Sequence, residues 1–439
     1  RFGSVAAILA ACGGGVVSQG SDFTDAGPKK APPTLTADPP PDPPPDNNPG
    51  GIPSIVVADE FGSEVQLAVS SSGRIVVAWI GISLASSDAT IRYAVTDDVG
   101  ATFTPAASVG STVGDPVVGA LDDGSFLLGG LRANCPSIDT CTDGELFLSK
   151  MPAGATSVEM IPSLREPTNA FIDHPWMSVH GQDVSLIGAV FPQDDAGMYD
   201  TGMTVWRSGD RGGTFQRTEL VVADSANQMG IPRFCGGDGT RTWAHFYDGT
   251  TPTYGRLRWT DSLDEDWTAT NTTSFGGDGG GTLETTGACA AHGDTLYAVI
   301  GTPGDPVGTT QDATPTFTDL HVLATNDLGQ TWNEQAHVAV SGASYLLPEI
   351  DVAPDGTVDL FYYTGTAEKS PARAELVRIH GTKADAPVVL RSGLSFISDR
   401  GSEKWLGDYN AIGYAGGKPI FAFGDNSVGT TRIRFAHLP

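Results

Sequence analysis

The chain has 439 residues, with 52 Asp and Glu against 25 Lys and Arg and a formal net charge of −27 at pH 7. Such a surface repels a phosphate lattice, so nucleic-acid backbone is excluded as a partner. With 56 Gly, 30 Pro and 39% hydrophobic residues, the composition suits a large core of many short strands joined by turns.

Residues 2–11 are apolar and end in Leu9-Ala10-Ala11-Cys12. That tetrapeptide resembles the lipobox of bacterial lipoproteins. The resemblance implies that residues 1–11 are a signal-peptide remnant and that Cys12 carries the lipid. Residues 13–48 are Gly/Ser-rich and then Pro/Asp-rich, with Pro39-Pro40-Pro41-Asp42-Pro43-Pro44-Pro45 at their centre. Such a segment builds no core and favours an extended polyproline conformation. Residues 12–53 therefore read as a tether reaching on the order of 100 Å if largely extended. No other stretch is long and apolar enough to span a membrane. The expectation is a protein of the bacterial cell envelope, at the outer membrane or cell surface, whose membrane partner is reached through the lipid on Cys12.

From residue 54 onward the chain repeats. A Gly-containing turn precedes an alternating apolar strand seven times, at residues 75–80, 125–131, 184–191, 242–247, 295–300, 357–363 and 418–423. The spacing of about 55 to 60 residues is that of a four-stranded propeller blade. Residues 54–58 form a strand outside the repeats, and the last repeat, ending at 431–437, is one strand short. Pairing the two would close a ring and remove two sheet edges. The fold class predicted for residues 54–439 is all-β, a propeller of seven blades closed by the N-terminal strand, with six blades as the alternative. Four cysteines remain for an oxidising compartment. Cys135 and Cys141 close a short loop, and Cys235 and Cys289 fall at equivalent places in successive repeats, giving two candidate disulfides.

Three turns share the pattern Ser/Thr-x-Asp-x-Gly-x-Thr-Phe/Trp, at 96–103, 208–215 and 325–332. In each, the carboxylate (Asp98, Asp210, Asp327) can accept backbone N–H bonds, and the glycine (Gly100, Gly212, Gly329) can supply a positive φ. The pattern resembles the Asp box of the sialidase superfamily and its BNR-repeat relatives. Asp173-His174-Pro175-Trp176-Met177-Ser178-Val179 and Gly407-Asp408-Tyr409 are similar to segments of exported BNR-repeat proteins. The resemblance covers roughly residues 55–438 and implies the propeller fold, with the Asp boxes as turn-stabilising elements away from any substrate site.

Most inner strands begin at or near a carboxylate: Glu64, Asp115, Asp173, Glu284, Glu349 and Asp408, with Arg233 in the fourth repeat. In a propeller these ends converge on one mouth of the central channel. Crowded carboxylates raise one another's pKa or recruit a hard cation, so Ca²⁺ is the candidate ion, with Asp173 and Asp408 as ligands. The alternative is that they hold backbone N–H groups or Arg233 and bind nothing. His174 is the histidine expected to face the channel, and Trp176 and Trp405 are aromatics that can stack on a sugar. The sialidase resemblance implies an arginine triad, a Tyr–carboxylate nucleophile and an acid/base Asp. Tyr409 beside Asp408, with Glu349 or Glu403, imitates the second, and Arg233 is the candidate arginine. The Phe/Tyr-Arg-Ile-Pro segment that supplies the first arginine is absent, since Arg74 lies in Gly73-Arg74-Ile75-Val76. The function expected is a binding or interaction module for a glycan or a surface protein. The competing expectation is an exo-acting, sialidase-like glycoside hydrolase, and its test is whether Arg233, Arg132, Arg165 and Arg400 converge beside Tyr409.

Overall fold

The computed structural model describes residue 48 and residues 51–82, 89–134, 142–166, 170–192, 201–224, 229–236, 242–248, 255–260, 272–275, 284–305, 316–365, 371–395 and 403–438. Cys12, Cys135, Cys141 and Arg400 lie outside the described residues, as does the side chain of Glu284. Among the described residues every regular element is a β-strand, and the sheets are antiparallel meanders. The first strands of successive sheets are Gly62–Val69, Gly114–Ala120, Ala170–His180, Met229–Phe234, Glu284–His292, Ser344–Val352 and Ala411–Ala415. Each touches the next, and the last touches the first, so these inner strands form a closed ring. Five sheets have four strands each, while the two runs starting at Glu284 and Ser344 are fused into one nine-stranded sheet by the pair Phe317–Tyr345. This is a β-propeller.

Ser54–Ala58 pairs antiparallel with Arg432–His437 and completes the four-stranded sheet that begins at Ala411. Ring closure thus joins the two ends of the domain in one ladder, in which Ser54–Ala58 is the outermost strand and covers the edge of Arg432–His437. Burial follows position within each sheet. The second strands, such as Ile75–Ile82 and Val358–Gly365, are buried on both faces because neighbouring sheets cover them. Outer strands are more exposed, as in Asn333–Val338, where Ala336 alone is buried. Trp79, fully buried, packs between the first sheet and Ile433 and Phe435 of the closing sheet.

The inner strands carry a recurring irregularity. Their pairing slips between Ser63 and Gln66, Gly114 and Val117, Asp173 and Trp176, Gly230 and Arg233, and Leu346 and Glu349. Four of these bulges hold a non-glycine residue at positive φ: Glu64 (50°), Asp115 (50°), His174 (46°) and Leu347 (47°). In four bulges the second residue is a buried proline, Pro116, Pro175, Pro232 or Pro348. A bulge leaves one N–H outside the ladder, and proline has none to leave. A bulge bends its strand and changes which side chains face which way beyond it.

The register shows how the carboxylates near the inner-strand starts are staggered. Glu64 and Asp115 sit at the positive-φ residue, Asp173 one residue before it, and Glu349 two residues after it, level with Trp176 and Arg233. Asp408 precedes its inner strand, Ala411–Ala415, by three residues. Cys235 and Cys289 are joined by a disulfide between adjacent sheets. They are not equivalent in register, because Cys235 follows its strand's last residue whereas Cys289 lies within its strand.

Candidate functional site at the channel mouth

Six side chains from six parts of the chain, five of them at or beside the bulges, form one connected line. Both terminal nitrogens of Arg233 donate to Glu349, one of them at 3.0 Å. The guanidinium lies 4.2 Å above the centre of the Trp176 ring, a cation–π contact. Trp176 meets Tyr409 edge-to-face at 5.4 Å. The Tyr409 hydroxyl donates to Asp115 Oδ1 at 3.1 Å, and the other oxygen of Asp115 accepts the backbone N–H of His174 at 3.2 Å. Glu64 Oε2 in turn accepts the N–H of Asp115 at 3.4 Å. The described carboxylates of this mouth therefore hold backbone N–H groups, Tyr409 and Arg233.

Burial sets the electrostatics. Asp173 is 3% exposed. Desolvation is the main cause that pushes its pKa up, to about 7, helped by the charge of Asp115 and a hydrogen bond between the two carboxyls. The neighbouring His174, with Nε2 3.9 Å from Asp173, pulls the other way. Burial beside another carboxylate thus favours the protonated form of Asp173. Burial also raises Glu349, against the opposing pull of Arg233, and raises Asp351 to about 7. Tyr409 is pushed well above the usual phenol range by burial, then by the charges of Asp115 and Glu64.

The described arginines of that test do not converge, and Arg400 lies outside the described residues. Arg233 is committed to Glu349, while Arg132 and Arg165 both pair with Glu145 on the second sheet. The Tyr409 partner is Asp115, 294 residues away in sequence, and not Glu349 or Glu403. Glu403 instead accepts from the Thr430 hydroxyl. Trp405 is 1% exposed and belongs to the core, so it offers no face to a sugar. Asp408 is half-buried, and its charge adds to the pressure on Tyr409.

Just inside the mouth the channel holds about 170 Å³ of room, lined among others by Gln66, Trp176, Arg233, Glu349, Asp351 and Asn410. Sequence reasoning missed Gln66, Asp351 and Asn410. Gln66 lies at the same bulge register as Trp176 and Arg233, and the recurring X-Pro pairs were the signal that could have revealed that register. Among the described residues, Gln66 Nε2, Arg233 Nε and Asn410 Nδ2 are buried donors with no hydrogen-bond partner. Three such donors on one small cavity suit a ligand rich in acceptor oxygens, because a buried donor left unmade costs roughly 1 to 3 kcal/mol.

The Asp boxes are chemically separate. Asp98 accepts from the Thr102 N–H (2.9 Å), the Thr102 hydroxyl (2.6 Å) and the Thr96 hydroxyl (2.7 Å). Asp210 and Asp327 repeat this pattern with Ser208 and Thr214, and with Thr325 and Thr331. These hydrogen bonds hold all three carboxyls down at about 2. Gly100, Gly212 and Gly329 have φ near 80°, and the residue before each is also left-handed: Val99 (56°), Arg211 (60°) and Leu328 (63°).

The fold and the mouth together define an all-β propeller with a buried carboxylate cluster at one end of its channel. No family model matches the chain, and no curated protein does. Solved structures similar to it include a protein of unknown function from Dyadobacter fermentans, at 13% identity and a TM-score of 0.49, covering 89% of this chain and 99% of that one. An α-L-arabinofuranosidase from Fusarium graminearum is 10% identical with a TM-score of 0.47, covering 89% and 98%. A sialidase from Trypanosoma rangeli is 11% identical with a TM-score of 0.44, covering 86% of this chain and 55% of that one.

Proposed function

We propose that this protein is an envelope-tethered binding module, lipid-anchored through Cys12, whose seven-bladed propeller takes a hydroxyl-rich glycan end group at the channel mouth. The observation that carries the reading is the cavity lined by Trp176 and by the unpartnered donors of Gln66, Arg233 and Asn410. Its volume is below the roughly 300 to 1,000 Å³ of a drug-sized pocket, which favours a single terminal unit over an oligosaccharide chain. The seven inner strands that touch in a closed ring support the blade number.

One observation favours a second reading, a glycoside hydrolase. Tyr409 and Asp115 form a Tyr–carboxylate pair, and Asp173 beside them keeps a proton up to about pH 7, as a general acid must. Against it, both terminal nitrogens of Arg233 bond Glu349, and Arg132 and Arg165 pair with Glu145, so these three guanidinium groups form no clamp for a substrate carboxylate at the mouth. A glycan array together with a panel of chromogenic glycosides separates the two. The binding reading expects retention without turnover, with Gln66→Ala lowering affinity about tenfold, the loss of one good hydrogen bond. Turnover that disappears in Tyr409→Phe would establish the hydrolase instead.

A further inference from the structure

The outer half of the fifth sheet carries a group of side chains that neither the mouth nor the Asp boxes use. Phe317–Thr325 and Asn333–Val338 pair antiparallel across the third Asp-box turn, and His321 is directly opposite His337. Asp319 lies two residues before His321 and so on the same face of the strand. The two imidazoles stack with centroids 4.2 Å apart and planes 9° from parallel. Nε2 of His337 lies 3.3 Å from Asp319 Oδ2, and Nε2 of His321 lies 3.7 Å from Asp319 Oδ1. One donor atom from each of the three residues can be chosen so that all lie within 4.8 Å of one another.

We propose that Asp319, His321 and His337 form a divalent transition-metal site, with zinc as the ion it fits best. Zinc–nitrogen and zinc–oxygen bonds of about 2.0 to 2.2 Å place neighbouring ligand atoms of a tetrahedral site about 3.3 Å apart. The two carboxylate–imidazole separations are already within a few tenths of an ångström of that value. Imidazole nitrogens select zinc, nickel, copper or cobalt over calcium and magnesium, which prefer all-oxygen cages.

The surroundings prepare the ligands. Glu334 Oε2 lies 2.6 Å from Nδ1 of His321, so it accepts a hydrogen bond from Nδ1–H, the tautomer whose Nε2 lone pair faces Asp319. Asp319 is oriented by the N–H of Thr302 on the adjacent strand, at 3.0 Å. Imidazole ligands held by an outer carboxylate, with a ligating carboxylate itself hydrogen-bonded, are the supporting arrangement that metal sites use. His337 is 44% exposed, so the site opens to solvent and a fourth position is free for water or another ligand.

Isothermal titration of zinc chloride into the chelator-treated full chain tests this, with calcium chloride as the comparison. The expected result is one zinc per chain and no comparable uptake of calcium at this site. His321→Ala and His337→Ala should each lower zinc affinity tenfold or more, and the positioning variant Glu334→Gln about tenfold. His380→Ala, whose imidazole pairs with Asp385 on the sixth sheet, should leave it unchanged. Cobalt loaded in place of zinc should show visible absorption bands that vanish in His337→Ala. Circular dichroism of each metal-free variant separates loss of folding from loss of ligands, and Glu334→Gln keeps both histidines if an alanine variant unfolds. Zinc uptake that is absent, or insensitive to His321 and His337, would overturn the proposal and leave the cluster as a stacked histidine pair bridged by Asp319.

Discussion

Aspartate plays opposite parts at the turns and at the channel mouth. In the Asp boxes, Asp98, Asp210 and Asp327 stand in solvent among N–H and O–H donors, and their pKa values drop to about 2. At the mouth, Asp173 is buried beside Asp115 and rises to about 7. The side chain is the same; the balance between hydrogen-bond donors and desolvation reverses its behaviour. The turn carboxylates work only as anions, whereas Asp173 fits its site only as an acid.

The largest effect that can break this comparison is at Arg233. Arg233→Ala would leave Glu349, 3% exposed, without its cationic partner. Removing one member of a buried pair costs about 3 to 5 kcal/mol, and urea denaturation should show a loss of that size. Replacing both, as Arg233→Met with Glu349→Leu, should recover much of it.

Next comes Asp173→Asn. The folded pKa is raised above the unfolded value, so the protonated carboxyl contributes stability that is fully present below about pH 4. That contribution is lost as pH rises toward 7, because the unfolded chain ionises first. The Asn variant lacks this loss. Its melting temperature should exceed that of the wild type by a margin that grows from pH 4 to pH 7 and then stays constant.

The Asp-box variants reverse the sign. Folded values near 2 lie below the ordinary aspartate value of 3.8, so the contribution is present above pH 4 and disappears as pH falls toward 2. The triple variant Asp98→Asn, Asp210→Asn, Asp327→Asn should melt lower than the wild type at pH 6, and the gap should narrow at pH 2. The smallest effect concerns calcium. The ion would have to compete with the proton on Asp173, so a rise in melting temperature with calcium is expected to grow as pH rises through 7. Asp173→Asn with Asp408→Asn should abolish that rise.

The turns were legible in the sequence because their bonds span four residues or fewer, as from Thr102 back to Asp98. The closing strand was legible too, since an unmatched strand at one end and a three-stranded repeat at the other imply each other. The mouth was legible only in part. Glu64, Asp115, Asp173 and Arg233 stood out as channel-facing, but the Tyr409–Asp115 bond joins residues from opposite ends of the ring, and no local pattern announces it. The bulges shift each strand's register, so counting along a strand mispredicts which side chains meet. Pro116, Pro175, Pro232 and Pro348 mark those shifts in the sequence itself. The pairing of His321 with His337 depends on the ladder across the third Asp-box turn, which itself carries a register shift between Val322 and Leu323.

The central claim is that one residue type is held as an anion at the turns and as an acid at the mouth. Carbon-detected NMR of a sample labelled at the aspartate carboxyls, titrated from pH 2 to pH 9, tests it most directly. The account predicts that Asp98, Asp210 and Asp327 titrate near 2 and that Asp173 titrates near 7, its resonance assigned by loss in Asp173→Asn. An Asp173 resonance that titrates near 4 with the ordinary carboxylates would contradict it.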